Sequence, residues 1–569
     1  MPVRIVARTG CKNVSGVSSD SVTGITLFLI LAMLGIAGAV EGASAPLSPL
    51  NQAIAAIGGK KALMGITAET VVGSGVRFNP DQARYPGAPP LQREFAYTSR
   101  HDVAGDRLNI HWIRNTDFKA TLEFSEVINK DLGYFDGKDN QFSGVLLSKD
   151  QLLAGERPKS AMFSSRVAAV RKHQRLFHPE LLLRSALEKP EIVTVMNDAT
   201  VSGQAHWVVS LQDAFQPIRL YINKRSGLVT QLQTEEEDPM WGDATITVEF
   251  GDWETVGGVK MPFQLTLSEA GHVLHKEARS SIIMNPKLDD NLFVIPPDVR
   301  FDESLVAVPP SLRTVPNHQD WQRGEAISEY LQREAYTGVS FDFNSGSVVK
   351  TERIARGIYQ ITGGAAHSMA IEMAKEIVVV EAPIDDDRSR AVIDKLKELI
   401  PGKPIKWVVN SHFHDDHSGG LRTYIAEGAT VVTGAANVPY YQQVFSAPHA
   451  LRPDALQEKP TAAKIQAVCD TPFVISDGER KVSVFPLAST HADGMVIVYV
   501  DDAKVLFAAD IYNPGGWPGK RIPVPALAAL AQELYRGITD LKLDVQTIVG
   551  AHGSGNTATF ETLKFQAGF

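Results

Sequence analysis

Two periodicities divide the chain. From about residue 50 to 300, apolar positions recur every second residue. In ATITVEFGDWETVGGVKMPFQLTL, Ile246, Val248 and Phe250 alternate with polar neighbours, a Val-Gly-Gly turn follows, and a second strand starts near Val259. IRLYINKRSGLVTQLQTEEE repeats the form: two strand-like runs flank Lys-Arg-Ser-Gly, which predicts an antiparallel hairpin. Such alternation gives each strand one buried and one wet face. One helix is expected between Ser164 and Leu187.

After a stretch with the texture of a linker, residues 301–345, which holds VPPSLRTVPNHQDW and a short helix around GEAISEYLQREA, the period changes. EIVVVEAP reads as a buried strand. DRSRAVIDKLKELI then places Val392, Ile393, Leu396, Leu399 and Ile400 at helical spacing, and IKWVVN is the next buried strand. Strands alternating with helices predict an α/β unit over residues 346–569. With 569 residues the chain exceeds the size of a single hydrophobic core, so two folded units are expected.

Composition adds little to this picture. Hydrophobic residues make up 44% and charged residues 21%, an ordinary globular balance, and the net charge of −9 is spread along the chain. That spread argues against a nucleic-acid surface. Arg4, Arg8 and Lys12 precede the apolar run GITLFLILAMLGIAGAV and the triplet Ala43-Ser44-Ala45, the pattern of a secretory signal peptide over residues 1–45. An exported, periplasmic protein is expected, with an uncleaved membrane anchor as the alternative. Cleavage would remove Cys11, leave Cys469 alone and allow no intramolecular disulfide. Residues 46–300, with the early AIGGKKALMGITAET, the hairpins and the closing IIMNPKLDDNLFVIPP, resemble periplasmic lipoprotein-carrier (LolA-like) half-barrels. The resemblance implies an antiparallel β half-barrel around a helix, with a lipid or envelope partner.

The strand IKWVVN runs straight into NSHFHDDHSGG, which packs three histidines and two aspartates into six consecutive positions. A loop at the carboxyl end of a strand can turn both His412 and His414 toward one ion, leaving Asp416 and His417 to address a second. Asp415, between them, is read as facing solvent or a backbone amide. The remaining ligands of a two-metal site should follow at strand ends, and three candidates do. LASTHADG gives His491, the strand-turn-strand MVIVYVDDAKVLFAAD ends its second strand at Asp510, and DVQTIVGAHGSG gives His552. A helix with Leu527, Leu530, Leu534 and Ile538 on one face separates the last two. Imidazole and carboxylate donors suit zinc; iron and manganese also accept them. The other ten histidines read as surface or hydrogen-bonded groups, with His367 at the border of the pocket.

His412-x-His414-x-Asp416-His417, followed by His491, Asp510 and His552, resembles the metallo-β-lactamase superfamily. The resemblance implies a four-layer αββα sandwich holding two zinc ions: His412, His414 and His491 on the first, Asp416, His417 and His552 on the second, and Asp510 bridging. The bridging aspartate resembles that of glyoxalase II-like thioesterases and lactonases, whereas β-lactamases of this fold usually lack it. The implied reaction is hydrolysis of an ester, lactone, thioester or amide bond in a small-molecule substrate. Two ions would lower the pKa of a bridging water from ~15.7 toward ~7 and give the nucleophile. Asp416 would orient it, and Tyr512 would donate to the oxyanion or the leaving group. Two other readings are a β-lactamase, and a lipid or lipoprotein carrier whose metal domain is secondary. Oligomeric state is not legible.

Overall fold

The computed structural model describes residues 48–115, 121–138, 159–162, 164–212, 216–297, 299, 330–331, 349–363, 366–514, 525–553 and 555–569. The signal-peptide segment and most of the expected linker lie outside these residues; of its expected helix, Tyr330 and Leu331 are described and helical. Both are buried in the N-terminal core. No helix among the described residues is long and apolar enough to cross a membrane.

Residues 69–284 supply one antiparallel sheet of fourteen strands. Its middle is closed by sequence-distant strands: Glu69–Asn79 pairs with His272–Met284, in a register that sets Glu69 opposite Met284. Both predicted hairpins are present. Ile218–Asn223 pairs with Val229–Asp238, and Gly242–Val256 pairs with Val259–Glu269 across Gly257-Gly258. Along Gly242–Val256 burial alternates as the sequence demands, with Ile246 and Val248 fully buried. These side chains and those of neighbouring strands pack with Val170, Phe177, Leu182 and Leu183 in one apolar cluster.

The expected single helix over 164–187 is instead two, Ser164–Phe177 and Pro179–Glu188. Pro179 has no N–H to donate and its ring blocks the preceding turn, so it starts a helix rather than continuing one. The break leaves His178 in an extended conformation (φ −125°, ψ 77°) with its buried ring between two buried carboxylates. Its Nδ1 lies 3.1 Å from Glu69 and 2.8 Å from Glu180. Burial disfavours the charged imidazole, but the two carboxylates outweigh it and raise the pKa to about 9. Burial likewise pushes Glu69 up, and His178 and His101 outweigh it and hold the carboxyl well below its usual range.

The signs give a pH window. A raised histidine contributes stability below its unfolded pKa of 6.5, lost as pH rises through about 9. A lowered carboxyl contributes stability above its ordinary 4.5, lost on acidification. The unfolding temperature is therefore expected to peak between about pH 4.5 and 6.5 and to fall as pH rises toward 9. In His178→Gln the alkaline fall should flatten; an alkaline limb identical to the parent's would show that His178 carries no such charge.

The C-terminal strands form two further sheets. The seven-stranded one runs from Lys350–Ala355 to Lys464–Val468, antiparallel at first and parallel from Ile377–Val380 through Ile405–Val409 and Thr430–Gly434. The five-stranded one runs from Phe473–Ser476 to Thr547–Val549. Residues of both sheets share a single apolar cluster. Against it lie Val392, Ile393 and Leu396 of the helix Asp386–Leu399, and Leu534 and Ile538 of the helix Pro525–Asp540. Asp385 caps the first of these, its carboxylate accepting from the Arg388 amide at 2.8 Å.

One expectation here needs correction. The strand before Asp510 ends at Phe507, and Asp510 sits in the short 3₁₀ turn Ala509–Ile511, whose first residue has a left-handed φ of 48°. Cys469 is disulfide-bonded in the full chain, whereas the expected lone thiol concerns a chain from which the leader has been cleaved. Cys11, the chain's other cysteine, lies outside the described residues.

Candidate metal centre

Strand Ile405–Val409 delivers the chain to Asn410, whose amide is still paired to the Val432 carbonyl, and the backbone then leaves the sheet. His412 and His414 occupy this exit, and the turn of helix Asp415–Ser418 follows at once. Helix geometry then turns Asp416 and His417 inward beside the two histidines. The glycines ending the motif are required by close approach. A Cβ on Gly419 would lie 2.0 Å from the Ile384 carbonyl oxygen, and one on Gly420 1.9 Å from the Ser389 hydroxyl. Tyr441 braces the exit by donating to Asn410 Oδ1 at 2.5 Å and to the His412 carbonyl at 3.1 Å. Across the sheets, the Val496 amide donates to the Ser411 carbonyl at 2.9 Å, which ties the segment after His491 to the segment before His412.

All seven expected ligands converge. His412, His414 and His491 form one group and Asp416, His417, Asp510 and His552 another, each with its donor atoms within 4.8 Å of one another. In the first, His412 Nε2 lies 2.9 Å from His414 Nδ1 and 3.1 Å from His491 Nε2. In the second, His552 Nε2 lies 3.2 Å from His417 Nε2 and 3.2 Å from Asp416 Oδ2. Asp510 reaches both groups: Oδ2 is 3.2 Å from His417 Nε2 and 3.5 Å from His491 Nε2, and Oδ1 is 3.1 Å from His552 Nε2. A tetrahedral ion with bonds of about 2.0–2.1 Å separates its donors by roughly 3.3 Å, so these edges fit.

Charge separates the two groups. Burial, then the neighbouring histidines, keep His412 well below its ordinary pKa; burial and His491 bring His414 down to about 3; burial also lowers His491. Three neutral rings that point nitrogens at one another within about 3 Å present lone pairs that hydrogen bonds alone cannot all satisfy, the donor set a cation takes. In the second group burial disfavours charge on His417 and His552, but Asp510 and Asp416 outweigh it; His417 is held well above its usual value and His552 rises to about 10. A cation taking this site displaces those protons.

The groups that hold these residues are not legible in the sequence. Glu381, fully buried and left-handed at φ 69°, accepts from the Ser411 amide at 3.1 Å and faces His417 Nδ1 at 3.5 Å. Its only local signal is a lone acid closing the all-apolar run IVVV. His412 Nδ1 is 2.8 Å from the Ser411 hydroxyl. His414 Nε2 donates at 2.9 Å to the carbonyl of Ala83, in the N-terminal part of the chain. Asp415 is expected to face solvent or a backbone amide. It instead accepts at 2.8 Å from the side-chain amide of Gln82, which also donates to Asp416 Oδ1 at 2.8 Å. His367 is buried beside the centre, with its amide donating to the Ala551 carbonyl and its ring brought down to about 3 by burial, His552 and Arg388. Tyr512 is buried and its hydroxyl donates to Gln566 on the C-terminal helix; burial raises it to about 12.

A family model described as the metallo-beta-lactamase superfamily matches residues 361–552, an interval that contains all seven expected ligands. The chain is also similar to three solved structures. They are the metallo-beta-lactamase FIM-1 from Pseudomonas aeruginosa in its mono-zinc form (17% identity, 38% of this chain and 93% of that one, TM-score 0.29), a metallo-beta-lactamase from Pontibacter korlensis (14%, 39% and 97%, 0.29) and one from Hirschia baltica (16%, 38% and 96%, 0.29).

Proposed function

From residues 361–552 as a hydrolase domain of the metallo-β-lactamase superfamily, we propose that this chain is a binuclear zinc hydrolase of an ester, lactone, thioester or amide bond, with its sheets and helices layered αββα. The observation that carries the reading is the Asp510 carboxylate, which reaches donors of both ligand groups at 3.2 and 3.5 Å. A single aspartate between two clusters is what a pair of ions needs and what one ion does not. His412, His414 and His491 would hold the first, Asp416, His417 and His552 the second, and Asp510 both. Ions bound there supply Lewis acidity, lowering the pKa of water toward ~7 and polarising the scissile carbonyl.

The chain's own residues do the rest. Asp416 Oδ2 stands 3.2 Å from His552 Nε2 and its other oxygen is tied to Gln82, so the carboxylate is fixed in orientation and can aim an attacking water. Glu381 and the Ala83 carbonyl hold His417 and His414 with their opposite ring nitrogens facing inward. Tyr512 donates to the oxyanion or leaving group by exchanging Gln566 for substrate.

The test is metal content by mass spectrometry on protein purified without chelator, beside a panel of chromogenic esters, lactones, thioesters, amides and nitrocefin. About two zinc per chain and turnover of one bond class, not nitrocefin, is the expected result. Nitrocefin as the best substrate would make the chain a β-lactamase despite Asp510; no metal and no turnover after zinc is restored would end the hydrolase reading. On the same panel Tyr512→Phe should keep its metal and lose kcat, and an unchanged kcat would assign Tyr512 to packing alone.

A further inference from the structure

The loop between strands Glu69–Asn79 and Leu91–Asp102 belongs to the N-terminal sheet by sequence and to the C-terminal core by burial. Its residues, PDQARYPGAPP, include four prolines, at 80, 86, 89 and 90, so it has little freedom to lose on docking. Ala83 and Ala88, 1% and 8% exposed, are members of the apolar cluster built by the two C-terminal sheets. Gln82, Ala83 and Arg84 then touch both ligand-bearing loops. Gln82 donates to Asp415 and Asp416, and the Ala83 carbonyl accepts from His414. The Arg84 carbonyl accepts from the Asp493 amide at 2.8 Å, and its guanidinium pairs with the Asp493 carboxylate at 2.9 Å, two residues beyond His491.

Two of these contacts fall on the far side of an expected ligand. His414 uses Nδ1 toward His412, and the Ala83 carbonyl takes the proton on Nε2, which selects the tautomer with a free lone pair on Nδ1. Asp416 uses Oδ2 toward His552, and the Gln82 amide takes Oδ1. A second N-terminal turn strengthens the seat: Gly242, where a Cβ would lie 2.1 Å from the Pro448 carbonyl oxygen, and Asp243, whose amide donates to that carbonyl at 2.8 Å. Docking here therefore requires backbone fit, beyond side-chain complementarity.

We propose that the Gln82–Arg84 loop is a built-in outer shell of the metal centre, in which Gln82 is a positioning residue for Asp416 and the Ala83 carbonyl positions His414. The N-terminal unit then sets the affinity of the ions as well as the site's approach. The inference rests on the binuclear reading above.

The test uses the full chain as Gln82→Leu, which keeps the volume and removes the donor, and as Gln82→Ala. Cobalt(II) titrations read affinity and stoichiometry by equilibrium dialysis and ligand geometry by visible absorption, and thermal unfolding of the metal-free proteins reports stability. The parent should take two cobalt ions. In both variants the second should bind about 10–100-fold more weakly with an altered absorption band, while the first ion and the metal-free unfolding temperature stay as in the parent. A parent that binds two ions, with variants matching it in affinity and spectrum, would overturn the outer-shell role and leave the binuclear centre standing. Weakening accompanied by an equal loss of metal-free stability would overturn it too, assigning Gln82 to packing. A parent that binds fewer than two ions would remove the binuclear reading and this inference together.

Discussion

Replacing His412 and His414 together by alanine is expected to cut hydrolysis by at least ~10³-fold, a loss of about 4 kcal/mol of transition-state stabilisation. The two rings are 0% and 2% exposed and supply two of the three neutral nitrogens of the first group, so only His491 and one oxygen of the shared Asp510 would remain to bind an ion there. One imidazole and a carboxylate shared with a second ion fall short of the three or four protein ligands that hold zinc. Far-UV circular dichroism and metal content should show a folded protein that has lost about one ion, and added zinc should not restore turnover. The same variant separates the hydrolase from a carrier. If the N-terminal sheet binds a lipid and the metal domain is secondary, lipid should copurify equally with parent and variant, and no hydrolytic rate should be there to lose. Turnover that survives the double replacement would mean that the chemistry lies elsewhere in the chain.

Local features were readable and long-range ones were not. His412 to His417 lie within six positions, and the strand before them and the helix Asp386–Leu399 that precedes it follow from burial and periodicity over a few residues. The hairpins around Gly227 and Gly257 are equally local, with both glycines at positive φ in the turns. Asp510 converges with the other expected ligands although the sequence draws its strand too long, because an apolar run cannot reveal where the ladder stops pairing; Phe507 is the last residue to pair with the Thr547–Val549 strand. The split at His178 could have been read from Pro179, yet apolar periodicity runs on across it and masks the break. Three contacts lay out of reach. Gln82 meets Asp416 across 334 positions, Ala83 meets His414 across 331, and Glu69 sits beside Met284 in the sheet. Nothing near Gln82 in the sequence distinguishes it from a solvated loop glutamine, because its role arises only once two folded units dock.

Asp510→Asn is the sharper replacement at the bridge, since asparagine keeps the shape and one carbonyl oxygen while losing the charge. The carboxylate is 8% exposed and its two oxygens serve His417, His491 and His552 within 3.1–3.5 Å, so no neighbouring acid can move in to substitute without displacing a ligand. Asp416, the other carboxylate of the group, is already committed to Gln82 and His552. Affinity for the second ion should therefore fall by more than the roughly 10–100-fold typical of outer-shell changes. The first ion, held by three histidines that do not depend on the charge, should remain. At sub-saturating zinc the variant should be a mono-metal protein with turnover reduced by about 10²–10⁴-fold, the range lost when a positioned acid–base group is removed. Raising the zinc concentration should recover part of the rate, which distinguishes weakened binding from lost chemistry. Full activity at one zinc per chain would show that Asp510 bridges nothing and that one ion suffices. The reading would then contract to the three-histidine site, with Asp416 and His417 acting as unmetallated groups beside it.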